Sequence, residues 1–163
     1  MRHVLSVLFL FAFATASAAE PVISFGEGFA RPFELNREQL SKLPGAAVSK
    51  AMKDHSSPQW QGVAVQELLR LAAVPMGKEL HGKHLTKYLL VTAQDGYQVI
   101  FSLGELDHAL GGSEIILAHS RDGQPLDANE GPYRIIVPGD ENSGRWIRQV
   151  VKIELKDAVP AKP

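Results

Sequence analysis

The chain has no cysteine among its 163 residues. That absence excludes disulfides, thiolate-held metal sites and a cysteine nucleophile together. It also has no surplus of one charge: 17 Lys and Arg oppose 18 Asp and Glu, a formal charge of −1. A general nucleic-acid binder needs a basic face or stripe, so near-neutrality removes the electrostatic case for one. No apolar run reaches the ~20 residues of a membrane-spanning helix. A Gly-x-Ser-x-Gly elbow, a Walker loop and a dinucleotide fingerprint after a strand are all missing. What remains is ordinary globular composition, 45% hydrophobic and 21% charged, at a length suited to one domain.

The first nineteen residues read as an address. Met1–Arg2–His3 is a short basic start, Val4 to Ala14 is apolar, and Thr15 to Ala19 are small. Basic, apolar, small is the order of a secretory signal peptide, with cleavage expected after Ala18 or Ala19. Retention as an anchor is the alternative, and the apolar stretch is short for it. There is no twin-arginine pair and no lipobox cysteine, so the general route to a soluble exported product is favoured. A secreted domain without disulfides suits a bacterial periplasm better than a eukaryotic exterior. We expect a signal peptide over 1–19, a domain over 20–157, a flexible tail over 158–163, and no membrane insertion after cleavage.

Within the mature region, strands are expected at Val22–Phe25, Phe33–Leu35 and Ala46–Met52. Asn36 to Gln39 has the form of a capping box, and Val65 to Ala73 carries apolar residues at helical spacing until Pro75. Tyr88–Thr92 and Tyr97–Phe101 flank the turn pair Asp95–Gly96 and read as a hairpin. Ser102 to Glu105 is a second capping box, with a helix that breaks at Gly111–Gly112. Strands follow at Ile115–His119 and Tyr133–Val137, and a final strand is expected to place Ile147, Gln149, Val151, Ile153 and Leu155 on one face. Short helices between many short strands, without βαβ alternation, indicate an α+β or mostly-β domain.

Few residues carry a chemical signal. His81 and His84 form a His-x-x-His pair, but a zinc or copper site needs a third convergent ligand. Asp95, Asp107, Asp122 and Asp127 are scattered and sit mostly at turns. The dense stretch runs from Gly131 to Gln149. A strand bearing Arg134 leaves through Pro138–Gly139 into a loop that presents Arg145, Trp146 and Arg148. Three guanidiniums with loop amides make an anion cradle, because arginine matches oxyanions bidentately. The alternative is that these arginines pair with Glu130, Asp140 and Glu141 as a solvated network.

An ordered series of motifs adds a resemblance. It comprises Trp60-x-Gly62-Val63 with Leu68–Leu69, Asp95–Gly96–Tyr97, Ile116–Leu117–Ala118 with Asp122-Gly123-x-Pro125, and Gly131-Pro132-x-Arg134 with Arg145-Trp146-Ile147-Arg148. From about Phe33 to Leu155 the chain resembles the molybdopterin-binding domain of the sulfite oxidase family. That resemblance implies an α+β fold with a mixed sheet, substantial β-structure and short helices. It implies that Arg134, Arg145 and Arg148 hold the pterin phosphate and ring, beside a turn formed by Trp60 and Gly62.

The chain also departs from the pattern. The family holds molybdenum through a cysteine upstream of the Trp-x-Gly, and this chain has none. Gln59 stands where an arginine often precedes the tryptophan, and Asn129–Glu130 where a histidine is usual. The segment between Leu43 and Trp60 is short for a metal-ligand region. The expected function is therefore an exported binding module for a pterin, another small anion or a periplasmic protein partner, without a metal ligand or an assigned catalytic residue. The alternative is a molybdopterin-dependent oxidoreductase with a non-thiolate metal site. N-terminal sequencing of the exported protein is expected to begin at Ala19 or Glu20; an intact Met1 in the membrane fraction would contradict the address reading.

Overall fold

The computed structural model describes residues 20–158. The expected signal peptide and residues 159–163 of the expected tail lie outside the described residues. At the start of that tail, the Ala158 N–H donates to the Thr86 carbonyl at 3.0 Å.

Two five-stranded sheets share one apolar core. The first has the order β2 (Phe33–Asn36), β1 (Val22–Phe25), β10 (Val150–Asp157), β5 (Lys87–Ala93), β6 (Gln98–Ser102). It is mixed, because β1 runs parallel to β10 while the other neighbours are antiparallel. The second runs β3 (Gly45–Ser49), β4 (Gln59–Ala64), β7 (Ile116–Arg121), β8 (Gln124–Pro125), with β9 (Arg134–Ile136) also paired to β7. Short helices α1 (Arg37–Ser41), α2 (Val65–Leu71) and α3 (Leu103–Leu106) connect the strands. This is the α+β architecture expected from the sequence.

The first sheet is built by alternation. Leu155, Leu89 and Phe101 lie in one cross-strand row, and Ile153, Val91 and Val99 in the next, all of them buried. Paired side chains on one face are the unit of sheet stability. The expected face of the last strand needs correction. Val150 pairs with Ala93 and Lys152 with Thr92, so Val151 is the extra residue of a β-bulge. The bulge reverses the phase: Val150 is buried and Val151 turns outward, while Ile147 and Gln149 precede the strand.

The second sheet hides its strands from alternation. Gly62, Val63 and Ala64 of β4 are consecutive buried residues, as are Ile116, Leu117 and Ala118 of β7. A strand covered on both faces has no polar side to show in sequence. Trp60 and Gly62, expected at a turn, therefore lie inside a strand. Strand β3 ends at Ser49 rather than reaching Met52. Both capping boxes form as expected, at Asn36 with Gln39 and at Ser102 with Glu105, each worth about 1 kcal/mol.

Gly62 is required by the approach of β7. A Cβ built there would stand 2.0 Å from the Leu117 carbonyl oxygen and 2.6 Å from the Ala118 Cα. Backbone atoms cannot swing aside as a flexible side chain can. Gly62→Ala is expected to lower the unfolding free energy by about 3 kcal/mol in urea titration; an effect below ~1 kcal/mol would show that β4 and β7 separate easily.

Candidate functional site

The register of the second sheet creates the site. Gly62 pairs with Ala118, and Ala118 pairs with Arg134, so two small residues lie in one row with the arginine. Trp60 pairs with Arg121 at the end of β7.

Two loops close over that face. Strand β3 feeds residues 50–58, and β9 feeds residues 137–149. Lys50 joins them, its Nζ donating to the carbonyl oxygens of Pro138, at 2.8 Å, and Asp140. Loop 50–58 is stiffened by a Met52 N–H to Ser56 carbonyl bond of 2.8 Å. Asp54 accepts from both the Ser56 hydroxyl, at 2.6 Å, and the Ser56 N–H, at 3.0 Å. Those bonds hold the exposed Asp54 carboxyl below the usual aspartate range.

Between the loops lies a cavity of about 330 Å³ bordered by Lys50, Met52, Asp54, Asp140, Ser143 and Trp146. It shares Met52 and Asp54 with a second space of about 490 Å³ that reaches Trp60, Arg121, Glu130 and Arg134. A third, of about 590 Å³, shares Ser143 and Trp146 with the first and is bordered by Asp95, Tyr97, Asn129, Arg148 and Gln149. Trp60, which borders the second space, and Trp146, which borders the other two, meet edge to face at 5.1 Å, a contact worth about 1 kcal/mol beyond burial. Trp146 Nε1 donates to the Val137 carbonyl at 2.8 Å, whereas the buried Trp60 Nε1 has no acceptor.

The three expected arginines have different surroundings. Arg134, with its side chain 11% exposed, donates from Nη1 to Glu130 Oε1 at 2.6 Å, and its Nε is buried without a partner. Its guanidinium lies 5.9 Å from the Trp146 ring centroid. Burial pulls the Arg134 pKa below the usual arginine range; Glu130 opposes this, and the charges of Arg148 and Arg121 add to it. Glu130 Oε1 also accepts from Arg121 Nη1 at 3.1 Å.

Arg145 is fully engaged. It grips Asp140 through Nε and Nη2 at 2.9 and 2.7 Å, reaches Glu105 Oε2 at 3.0 Å, and lies 5.1 Å from the Phe101 centroid. Hydrogen bonds to Asp140 raise the Arg145 pKa, against burial and with help from Glu105. Because Glu105 closes the capping box of α3, Arg145 fastens the loop to that helix.

Arg148 is exposed and has no hydrogen bond or ion pair among the described residues. The backbone that carries it is nonetheless held in place by the next residue. Gln149 adopts φ +49°, held by its N–H on the Glu130 carbonyl, its carbonyl on the Gln94 N–H and its Nε2 on the Ala128 carbonyl. Left-handed backbone in a non-glycine residue costs of order 1–3 kcal/mol and persists where such contacts over-determine it.

The structure thus places Arg134 and Trp60 on one space and Arg148 and Trp146 on another, the two linked into a cleft by the space between the loops, and gives Arg145 to carboxylates. Gly62 serves the strand contact. Lys50 and Arg121 were missed in the sequence. Asp122–Gly123 was legible as a turn, but placing Arg121 beside Trp60 required recognising β4 as its partner. His81 is exposed, and no group of three His, Asp or Glu side chains suited to a metal occurs among the described residues. No described helix is long and apolar enough to cross a membrane.

The model of the oxidoreductase molybdopterin binding domain matches residues 30–162. The chain belongs to that family. Among solved structures it is similar to the sulfane dehydrogenase SoxCD from Paracoccus pantotrophus, with a TM-score of 0.65 and 17% identity over 84% of this chain. The match spans 38% of that longer chain, so the likeness is one of fold. No curated protein matches.

The residues present do not fit the family's metal centre. There is no cysteine thiolate anywhere in the sequence. They fit a phosphate poorly as well, since Glu130 and Asp140 already neutralise two of the three arginines. These surroundings predict opposite mutant behaviour. Arg145→Ala is expected to lower stability by about 1 kcal/mol, as an exposed but bidentate network allows. Arg148→Ala is expected to change it by less than ~0.5 kcal/mol. Equal effects in thermal unfolding would contradict the assignment.

Proposed function

We propose that this chain is an exported, metal-free binding module of the molybdopterin-binding fold, taking a small planar organic anion in its cleft. The observation that carries the reading is Arg148, the one expected arginine without a carboxylate, held at the edge of a cleft beside Trp146. An exposed guanidinium without an internal ion pair can bind a ligand carboxylate without first breaking one. Tyr97, 53% exposed at the same rim, offers an aromatic surface, and its hydroxyl is anchored on the Gly144 carbonyl at 3.0 Å. Asn129 and Gln149 add amide groups that suit a heterocycle with both donors and acceptors. Export is supported by the order of basic, apolar and small residues before Glu20.

Pterin-6-carboxylate, a fluorescent planar monoanion, is a suitable probe. The wild-type protein is expected to bind it with an affinity that falls as salt rises. Arg148→Ala is expected to weaken binding about tenfold and flatten the salt dependence. Equal affinity and equal salt slope in the two proteins would remove Arg148 from the site.

A further inference from the structure

The Arg121–Glu130–Arg134 cluster has the form of an occupied anion site. One carboxylate oxygen, Glu130 Oε1, receives Arg134 Nη1 at 2.6 Å and Arg121 Nη1 at 3.1 Å. All three residues border the same space of about 490 Å³, whose wall includes the buried Trp60. Two residues of that wall, Trp60 and Arg134, each keep a buried donor without an acceptor, Trp60 Nε1 and Arg134 Nε. Glu130 is held in place: its N–H is bound to Asp127 Oδ1 at 3.0 Å and its carbonyl accepts from Gln149 at 3.0 Å.

We propose that Glu130 is the specificity-determining residue of the cleft: its carboxylate fills the oxyanion seat of Arg121 and Arg134 and thereby excludes phosphorylated ligands. The proposal rests on the reading of this cleft as a ligand site and sharpens it. With that seat filled from within, Arg148 is the arginine of the cleft left to meet an anion, and a single guanidinium matches a monoanion such as a carboxylate. A phosphate entering beside Glu130 would add two negative charges against a half-buried carboxylate that cannot withdraw. Removing the carboxylate charge leaves two guanidiniums converging on one point, which is the geometry that binds oxyanions.

The test is titration of Glu130→Gln with inorganic phosphate at constant ionic strength, set by chloride. Trp60 and Trp146 are the only tryptophans in the chain, so intrinsic fluorescence reports on this cleft. The expected result is phosphate affinity about tenfold or more above wild type, lost again in Glu130→Gln combined with Arg121→Gln. A folded Glu130→Gln with wild-type phosphate affinity overturns the proposal. If that variant unfolds in chloride, phosphate at the same ionic strength is expected to restore its folded circular dichroism spectrum, and Glu130→Ala is expected to do likewise. Failure of phosphate to rescue both overturns it. Phosphate binding by Glu130→Gln is independent of Arg148, so a wild-type protein that ignores pterin-6-carboxylate would sink the proposed function while leaving this result standing.

Discussion

A cleft lined with arginine has to place each positive charge against something, and that constraint organises this molecule. Guanidiniums stay charged even when burial disfavours it, so a half-buried one needs an anion or an aromatic face nearby. Arg134 has both, in Glu130 and Trp146. Arg145 has two carboxylates and Phe101. These pairings do structural duty: one fastens the strand β9 to the turn before it, the other fastens the loop after β9 to α3. Only Arg148 stands outside, and it does so on a backbone held in place by three hydrogen bonds of Gln149.

The same fold that carries a metal cofactor elsewhere in the family has here closed its own electrostatics. Fold membership fixes the two sheets and the loops that connect their strands, while chemistry depends on which side chains those elements present. This chain presents no thiolate, ties two arginines to its own carboxylates and crosslinks the cleft's two loops through Lys50. Each of these features moves the cleft away from a thiolate-held metal centre.

Much of the fold was legible because its local rules are strong. Both capping boxes, the Asp95–Gly96 hairpin and the α+β class follow from residue spacing alone. Strand β4 was not legible as a strand, because Gly62 interrupts it and its last residues are buried on both faces. The face of β10 was misassigned since a bulge at Val151 changes the phase, and nothing in the local sequence marks a bulge. Within the site, the acidic residues around the arginines were visible as candidates for pairing. Which arginine took which partner depended on long-range packing: Glu105 lies forty residues from Arg145 in sequence and reaches it only through the placement of α3.

The central claim is that the cleft works without the family's metal. Elemental and pterin analysis of the protein purified from a molybdenum-replete host tests it most directly. The account predicts molybdenum at background level in a fully folded protein. Molybdenum and pterin near one per chain would contradict it, and would mean that an oxidoreductase centre assembles here on ligands other than a protein thiolate.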